Sequence, residues 1–291
     1  MDTPAADIEV DEGLVRSLLA GQHPDLADLP LRLVANGWDN VIFRLGLEYA
    51  VRVPRRTIAA QLVEHENTWL PLIDTLVHVA IPVPVRTGAP SALFPWQWSV
   101  TRWVDGELAA DTPFDDHGTL AVELAHFVRD LHVAAPPTAP FNPVRGVPLE
   151  TRSEAVAQRF GSGLVPHAPA VAAVWRSALD APLWGGPPLW LHGDLHPANI
   201  IAREGRLAAV IDFGDLTAGD PATDLATAWL TFDADGRRSF MRELAYDDAT
   251  WSRARGWAVI MATALLVNSA DAPAMRRIGL HAVEQLLRDQ P

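Results

Sequence analysis

The amino-terminal part of the chain alternates apolar and polar residues in short runs, a pattern that predicts β-strands. Asn36-Gly37 separates two of these runs and favours a β-hairpin between them. Helical spacing occurs at residues 10–20 and 57–75, with Thr57 as a candidate N-cap of the second helix. The strand-like runs are LRLVA, VIFRL, YAVRV, IPVPV and the segment from Trp96 to Val104. A mostly β segment with one prominent helix is therefore expected.

The spacing of apolar residues becomes helical after Asp105. Residues 115–133 place apolar side chains three and four positions apart, which predicts an amphipathic helix. Proline-rich segments at 134–148 and 182–188 are predicted to be loops, and residues 221–290 are predicted to form several helices. The sequence therefore predicts an α+β protein in which a small β-rich lobe precedes a larger helical lobe.

Composition narrows the possible chemistry. The chain has 291 residues, 49% of them apolar, with 23 basic and 36 acidic residues and a formal net charge of −13. Such an acidic protein repels phosphate backbones, so nucleic acid is not an expected partner. The absence of cysteine excludes disulfide scaffolds, thiolate metal sites and cysteine nucleophiles. All basic residues are arginine, and the lack of lysine excludes Schiff-base chemistry and the usual lysine-containing P-loop.

Targeting and membrane signals are not predicted. The amino terminus is acidic and has no basic segment followed by an apolar one, so no signal peptide is expected. The apolar stretch Trp257–Val267 is much shorter than the ~20 residues of a membrane span and predicts a buried core helix. We expect a cytoplasmic protein that does not associate with membranes and exists as a monomer or weak dimer.

Two motifs carry candidate chemistry, and each follows an apolar run. HGDLHPANI contains Asp194 and Asn199 in the spacing H-x-D-x-x-x-x-N, and VIDFGD contains Asp212 in Asp-Phe-Gly. Phosphoryl transfer needs a carboxylate at the incoming hydroxyl and oxygen ligands for magnesium at the phosphates. The spacing therefore predicts Asp194 as the catalytic carboxylate, with Asn199 and Asp212 as the ligands of Mg²⁺.

These motifs, together with NGWDNVIFRLG, AVRVPRR and VIDFGDLTAGDPATDLA, resemble the aminoglycoside phosphotransferase family, with macrolide phosphotransferases close by. The resemblance implies a two-lobed, protein-kinase-like fold. Its amino-terminal lobe, residues 1–104, would bind the nucleotide. Its carboxy-terminal lobe, residues 105–291, would carry catalysis and acceptor binding. ATP or GTP would be the phosphate donor, and Mg²⁺ would be the metal.

The resemblance also implies a set of nucleotide-binding residues. Arg52 falls where the family usually has a phosphate-binding lysine, and arginine keeps that charge in a longer, planar group. A carboxylate on an apolar helix face needs a partner, so Glu66 is expected to pair with Arg52; the alternative is a solvated glutamate. Glu66 shares its predicted apolar stripe with Ile58, Leu62, Trp69 and Ile73.

Two further segments are assigned to the nucleotide by the same resemblance. Asn36 and Gly37 lie in the turn that would cover the phosphates, although an ordinary hairpin turn explains these residues nearly as well. The carbonyl of Arg102 and the amide of Val104 would meet the base at the hinge between the lobes.

The acceptor is expected to be a small, cationic molecule. Only five residues separate Gly214 from Asp220, too few for the peptide-docking activation segment of a protein kinase. The acidic composition favours a cation, and the candidate ammonium-binding residues are Asp215, Asp233 and Asp235. An aminoglycoside-like acceptor is predicted. A macrolide, an amino alcohol or a sugar are the alternatives.

Other residues near the motifs are expected to support the loop. We interpret His192 as structural, and we expect Asp220 and Asp224 to anchor the following helix and brace the catalytic loop.

Other functions fit the sequence less well. A metal-dependent oxygenase using His192, Asp194 and His281 is a rival hypothesis, but it gives no role to Asn199 and Asp212. A serine hydrolase lacks its G-x-S-x-G motif, and a non-catalytic kinase-like module would be expected to have lost one of the motif residues.

Overall fold

The computed structural model describes residues 5–113 and 118–288. The chain forms two compact units. The smaller comprises residues 5–76 together with Ala80–Asp105, and the larger comprises Val77–Val79 together with residues 106–113 and 118–288. Both units combine strands and helices, so the predicted α+β class is confirmed. The assignment of nucleotide binding and catalysis to separate lobes stays a prediction.

The smaller unit is built on a five-stranded antiparallel sheet, whose strands lie in the order β1 (Leu31–Asn36), β2 (Asn40–Leu45), β3 (Tyr49–Pro54), β5 (Trp98–Arg102) and β4 (Pro84–Gly88). Trp98 is fully buried within its core. The predicted run IPVPV overlaps its strand only at the end, because proline cannot donate to a sheet ladder and the strand begins at Pro84. The elements are α1 (Glu12–Gln22), β1 (Leu31–Asn36), β2 (Asn40–Leu45), β3 (Tyr49–Pro54), α2 (Thr57–Ile73), β4 (Pro84–Gly88) and β5 (Trp98–Arg102).

Helix α2 packs one face against this sheet, and the predicted stripe matches that face in part: Glu66 and Ile73 are buried, but Ile58 is not. Ile58 is 65% exposed, whereas the small residues Ala59 and Ala60 are buried and allow the helix to approach the strands. Glu66 nevertheless lies on the buried face. The buried residues of α2 are Ala59, Ala60, Val63, Glu66, Leu70 and Ile73.

The start of α2 is capped from a distant part of the chain. Thr57 is the first helical residue and not the N-cap, and the preceding Arg56 makes no side-chain capping bond. Instead Asp7 Oδ2 accepts hydrogen bonds from the Thr57 amide and hydroxyl, both at 2.8 Å. The amino-terminal segment therefore fixes the beginning of the helix that carries Glu66.

Replacing Asp7 with alanine is expected to lower the thermal unfolding midpoint near neutral pH. The backbone and hydroxyl donors of Thr57 hold the pKa of Asp7 below its usual value. Such a carboxylate stabilises the fold above its unfolded pKa of about 3.9 and loses this effect as the pH falls further. Melting curves of both proteins should therefore converge toward acid. A constant difference across the pH range would contradict this explanation.

The larger unit is mostly helical and contains two small antiparallel sheets, β10-β7 and β6-β8-β9. Its helix α3 agrees with the prediction over the described residues; residues 115–117 of the predicted helix lie outside them. The strands are β6 (Glu107–Leu108), β7 (Leu189–Leu191), β8 (Ile200–Arg203), β9 (Arg206–Val210) and β10 (Thr217–Gly219). The helices are α3 (Gly118–Leu131), α4 (Ser153–Gly161), α5 (Ala168–Leu179), α6 (Ala222–Leu225), α7 (Thr227–Thr231), α8 (Ala234–Arg242), α9 (Asp248–Asn268) and α10 (Pro273–Arg288).

Helix α9 forms the centre of the larger unit. It packs against α5, α6 and α10, and it contains the apolar stretch predicted as a core helix. Trp257 is fully buried and Leu266 is 3% exposed, which confirms that prediction. Within the part of the chain that the structure describes, no helix combines the length and apolarity needed to cross a membrane.

Candidate active site

The segment between β7 and β8 holds the first motif, and a buried aspartate on α6 fixes it. Asp224 is fully buried and accepts hydrogen bonds from the amides of His192 at 2.7 Å and Gly193 at 2.8 Å. Asp220 Oδ1 accepts from the amide of Ala222 at 3.0 Å, at the start of the same helix. The expected anchoring of this helix, by Asp220, and the expected bracing of the loop, by Asp224, are confirmed.

Replacing Asp224 with alanine is expected to destabilise the larger unit by about 3–5 kcal/mol. The change leaves the buried amides of His192 and Gly193 without an acceptor and removes one of the two partners of His132. Urea unfolding measures the loss, with Asp180→Ala, at an exposed position of the same unit, expected to change stability by less than about 0.5 kcal/mol. Equal stabilities of the two variants would refute the bracing role.

Gly193 is required by the close packing of this loop. Its φ of +87° lies in the left-handed region, and a Cβ at this position would lie 2.2 Å from the carbonyl oxygen of Asp215. The glycine therefore allows the backbone of the first motif to pass directly against the end of the second motif.

The carboxylate of Asp194 lies between the side chains of Arg145 and His196. Oδ1 accepts from Nη2 of Arg145 at 3.0 Å, and Oδ2 lies 3.2 Å from Nε2 of His196. The Asp194 side chain keeps 29% of its exposure, so a ligand can still reach it. Burial raises the pKa of Asp194, but the interactions with His196 and Arg145 outweigh burial and hold the pKa well below its ordinary value. Asp194 is therefore ionised at neutral pH.

The two histidines of the motif hold different parts of the loop. His196 Nδ1 accepts from the amide of Ala198 at 3.2 Å, so Nε2 carries the hydrogen and donates to Asp194. His192 Nδ1 accepts from the amide of Asp194 at 3.2 Å, and its Nε2 donates to the carbonyl of Ile211 at 2.9 Å. The ring of His192 thus binds a backbone group of each motif and joins the two motifs, as expected of a structural residue.

Asn199 connects Asp194 with the segment that carries Asp212. Its Nδ2 donates to the carbonyl of Asp194 at 2.9 Å, and its own carbonyl accepts from the amide of Ile211 at 2.9 Å. Asp212 follows Ile211 in the left-handed region, with φ of +62°, a conformation that costs free energy and is often kept at functional sites. The structure therefore brings the three predicted residues to one place in the larger unit.

The chemistry of these side chains fits Mg²⁺. With its amide nitrogen bonded to the loop, Asn199 retains its amide oxygen as a ligand, and Asp212 offers a carboxylate. Both are the hard oxygen donors that Mg²⁺ prefers, and this ion ordinarily completes its shell with water and phosphate oxygens. Over residues 5–113 and 118–288, no group of three or more His, Cys, Asp or Glu side chains is arranged for a metal.

Only one of the three predicted acceptor residues lies beside Asp194. Asp215 Oδ2 is 3.0 Å from Nη2 of Arg145, the same atom that contacts Asp194. Burial raises the pKa of Asp215, and the nearby Asp194 charge adds to this effect. By contrast, Asp233 caps α8 by accepting from the amide of Gly236 at 2.8 Å, and the exposed Asp235 pairs with Arg238.

The smaller unit holds the predicted phosphate-binding arginine in a fixed position. Nη1 of Arg52 donates to Glu66, and both side chains are largely buried, which confirms the predicted pair. The amide oxygen of Asn40 accepts from Nε and Nη2 of Arg52 at 3.1 and 2.9 Å in the amide orientation that satisfies both groups. Arg52 on β3 is thus held by α2 and by the first residue of β2.

The other predicted nucleotide residues lie at the ends of strands. Arg55 Nη1 donates to Oδ1 of Asn36 at 2.9 Å and to the carbonyl of Gly37 at 3.0 Å, which fixes the turn. Arg102 ends β5, and its exposed side chain lies 3.7 Å from Glu48. Val104 follows two residues later. Their proposed contacts with a nucleotide stay predictions.

Sequence reasoning missed Arg145, Asn142, His196 and Asn40 as members of these clusters. Arg145 and Asn142 lie in a proline-rich segment with no periodicity, where loop composition alone says nothing about contacts. His196 was visible within HGDLHPANI, and its position two residues after Asp194 was the signal that could have drawn attention to it. In the pairing of β2 with β3, Ile42 lies opposite Arg52. Asn40 is two residues before Ile42 on β2, so its side chain is on the same face of the sheet and can reach Arg52.

Comparison with known proteins identifies the family. The profile of the phosphotransferase enzyme family, APH, matches residues 30–257. The chain therefore belongs to this family, as the motifs predicted.

Solved structures confirm the predicted fold. Aminoglycoside 2'-phosphotransferase-IIIa in complex with GDP superposes with a TM-score of 0.71 at 19% identity, covering 97% of this chain and 100% of that one. A macrolide 2'-phosphotransferase from Brachybacterium faecium superposes with a TM-score of 0.59 at 21% identity, covering 93% of this chain and 96% of that one. The protein-kinase-like fold expected from the resemblance is thus present.

A glucosamine kinase from Streptacidiphilus jiangxiensis is 37% identical over 152 residues. This match covers 48% of the present chain and 34% of the curated relative, so the chain corresponds to only about a third of that protein's length.

Proposed function

We propose that this chain is a kinase that transfers the γ-phosphate of ATP or GTP to a hydroxyl group of a small molecule. Membership in the phosphotransferase family supports the reaction class. The observation that carries the proposal is the position of Asn199, which is hydrogen-bonded both to Asp194 and to the residue before Asp212. A carboxylate for the hydroxyl and oxygen ligands for a cation are the groups that phosphoryl transfer requires.

Asp194 is proposed to orient the acceptor hydroxyl. Its ionised carboxylate would accept a hydrogen bond from the hydroxyl and direct the oxygen toward the γ-phosphorus. As the new oxygen–phosphorus bond forms and the bond to the β-phosphate oxygen breaks, the hydroxyl proton would pass to Asp194. The low pKa makes Asp194 a weak base, so its main contribution is alignment before the transfer.

Donor-binding roles are proposed for Asn199, Asp212 and Arg52. Asn199 and Asp212 would hold Mg²⁺, which when bound neutralises charge on the phosphates. Arg52 would contact phosphate oxygens, and its pairing with Glu66 and Asn40 keeps the guanidinium in one orientation.

Backbone and turn groups would complete the donor site. Asn36 and Gly37 are proposed to lie over the phosphates, and the backbone of Arg102 and Val104 is proposed to contact the base.

An aminoglycoside-like acceptor, one that carries an amino sugar, is the proposed substrate class. The net charge of −13 favours a cationic acceptor. The glucosamine kinase that matches part of the chain is named for an amino sugar. A macrolide is the second candidate, because a macrolide phosphotransferase shares the fold. We also propose that the protein acts in the cytoplasm, where nucleoside triphosphates are available, as a monomer or weak dimer.

An acceptor panel tests this proposal. Purified protein is incubated with ATP or GTP, with and without Mg²⁺, and with aminoglycosides, macrolides, glucosamine and amino alcohols, and nucleoside diphosphate release is measured. Release that depends on both Mg²⁺ and an amino-sugar compound is expected. Release with macrolides alone would move the protein to the second class, and no acceptor-dependent release with any compound would contradict the proposed function.

A further inference from the structure

Arg145 lies between the two carboxylates at the centre of the candidate site. Its Nη2 atom is 3.0 Å from Asp194 Oδ1 and 3.0 Å from Asp215 Oδ2, and its side chain is 20% exposed. It comes from the segment between α3 and α4, outside both motifs. Burial opposes charge on Arg145, but the two carboxylates raise its pKa above the ordinary arginine value. It is therefore a permanent cation at this position.

The backbone that carries Arg145 is fixed on both sides. The amide of the next residue, Gly146, donates to Thr223 Oγ1 at 3.0 Å, and its carbonyl accepts from the amide of Asp220 at 3.0 Å. Gly146 has φ of +67°, and a Cβ there would lie 2.9 Å from Leu191 Cδ1, so the chain packs too closely for a side chain. The loop is thus a built part of the larger unit.

Asp215 is itself held in place. Asn142 Nδ2 donates to Asp215 Oδ1 at 2.8 Å, and the backbone amide of Asn142 donates to Thr217 Oγ1 at 3.0 Å. One oxygen of Asp215 is therefore bound to Asn142 and the other to Arg145. This arrangement anchors the guanidinium from the side opposite Asp194.

The contact of Arg145 with both carboxylates fixes the orientation of Asp194. Because the two carboxylates contact the same nitrogen, their nearest oxygens lie within about 6 Å of each other, a distance at which like charges repel. Arg145 offsets this repulsion and holds Oδ1, while His196 holds Oδ2. Two donors on two oxygens determine the plane of the carboxylate.

We propose that Arg145 is a positioning residue for phosphoryl transfer, and that it holds Asp194 in its reactive orientation through an ion pair anchored by Asp215 and Asn142. This inference rests on the proposed function. It gives Asp215 a role inside the protein in place of the predicted contact with an acceptor ammonium group.

Kinetics of substituted proteins test the proposal. Arg145→Met is expected to lower kcat by about 100-fold, because a small displacement of a reacting group has effects of this size, while the KM values for nucleotide and acceptor change by less than about threefold. Arg145→Lys is expected to recover at least about tenfold of this loss, since it keeps the charge. Arg203→Met, at an exposed position on β8, serves as the matched control.

A second pair of variants tests the anchor. Asp215→Asn should lower kcat by a smaller factor, and combining it with Arg145→Met should add little, because both changes disrupt one chain of contacts. Unchanged kcat in Arg145→Met, or a raised acceptor KM with unchanged kcat, would overturn the proposal; the second result would show that Arg145 binds the acceptor directly.

Crystal structures of the wild type and of Arg145→Met decide the question independently of turnover. A rotated Asp194 carboxylate in the variant is expected, and a carboxylate in the wild-type position would overturn the proposal. If the wild type phosphorylates none of the acceptors, the proposed function fails, while the position of Asp194 in the two structures still decides the role of Arg145.

Discussion

Replacing Asp194 with alanine is expected to lower kcat by about 10²- to 10⁴-fold while nucleotide affinity changes by less than about threefold. The side chain is accessible, ionised and held by donors on both oxygens, so it is equipped to orient a hydroxyl and receive its proton. Its removal takes away no group proposed to contact the donor. Steady-state kinetics and calorimetric titration of the nucleotide measure the two quantities separately.

Asp180→Ala provides the matched control for this experiment, since Asp180 is an exposed acid at the end of α5 in the same unit. It should retain wild-type kcat. A fully active Asp194→Ala protein would remove Asp194 from the catalytic role, and a variant that binds no nucleotide would assign Asp194 to donor binding.

The second large effect is expected at Asp212. Asp212→Ala should weaken binding of the magnesium–nucleotide complex by at least about tenfold, because Mg²⁺ would lose the carboxylate ligand that Asp212 is proposed to supply. Affinity for the same nucleotide in the presence of a chelator should be nearly equal in wild type and variant. Calorimetry in both conditions gives the comparison.

The chelator arm separates two explanations for weak binding at Asp212. An equal loss of affinity with and without Mg²⁺ would show that the substitution disturbs the loop itself. Asp212 has a strained φ of +62°, so replacing it can change the backbone conformation there. Unchanged affinity in both conditions would contradict the metal assignment.

Much of the fold could be predicted from the sequence because local patterns determine it. The hairpin strands, α2, the core helix α9 and the pairing of Arg52 with Glu66 follow from periodicity and from the need of a buried carboxylate for a partner. Which residues of α2 face the sheet was harder to predict, since the burial of Ala59 and Ala60 depends on how closely the helix approaches the sheet.

Long-range contacts account for what the sequence could not show. Asp7 caps a helix 50 residues away, and Arg145 reaches Asp194 across 49 residues from a loop without periodicity. Neither contact has a spacing that sequence reasoning can detect. The second motif was predictable as a set of residue types. Its junction with the first depends on the backbone carbonyl of Asn199 and the ring of His192, which both bond to the backbone of Ile211 only in the folded chain.

The most direct test of the central claim is to follow the phosphoryl group itself. Wild type and Asp194→Ala are incubated with ATP or GTP, Mg²⁺ and an amino-sugar acceptor, and the products are analysed by ³¹P NMR and mass spectrometry. Wild type is expected to form a phosphate monoester on an acceptor hydroxyl, and the variant is expected to form almost none. Equal amounts of phosphorylated acceptor from both proteins, or no phosphorylated small molecule from the wild type, would contradict it.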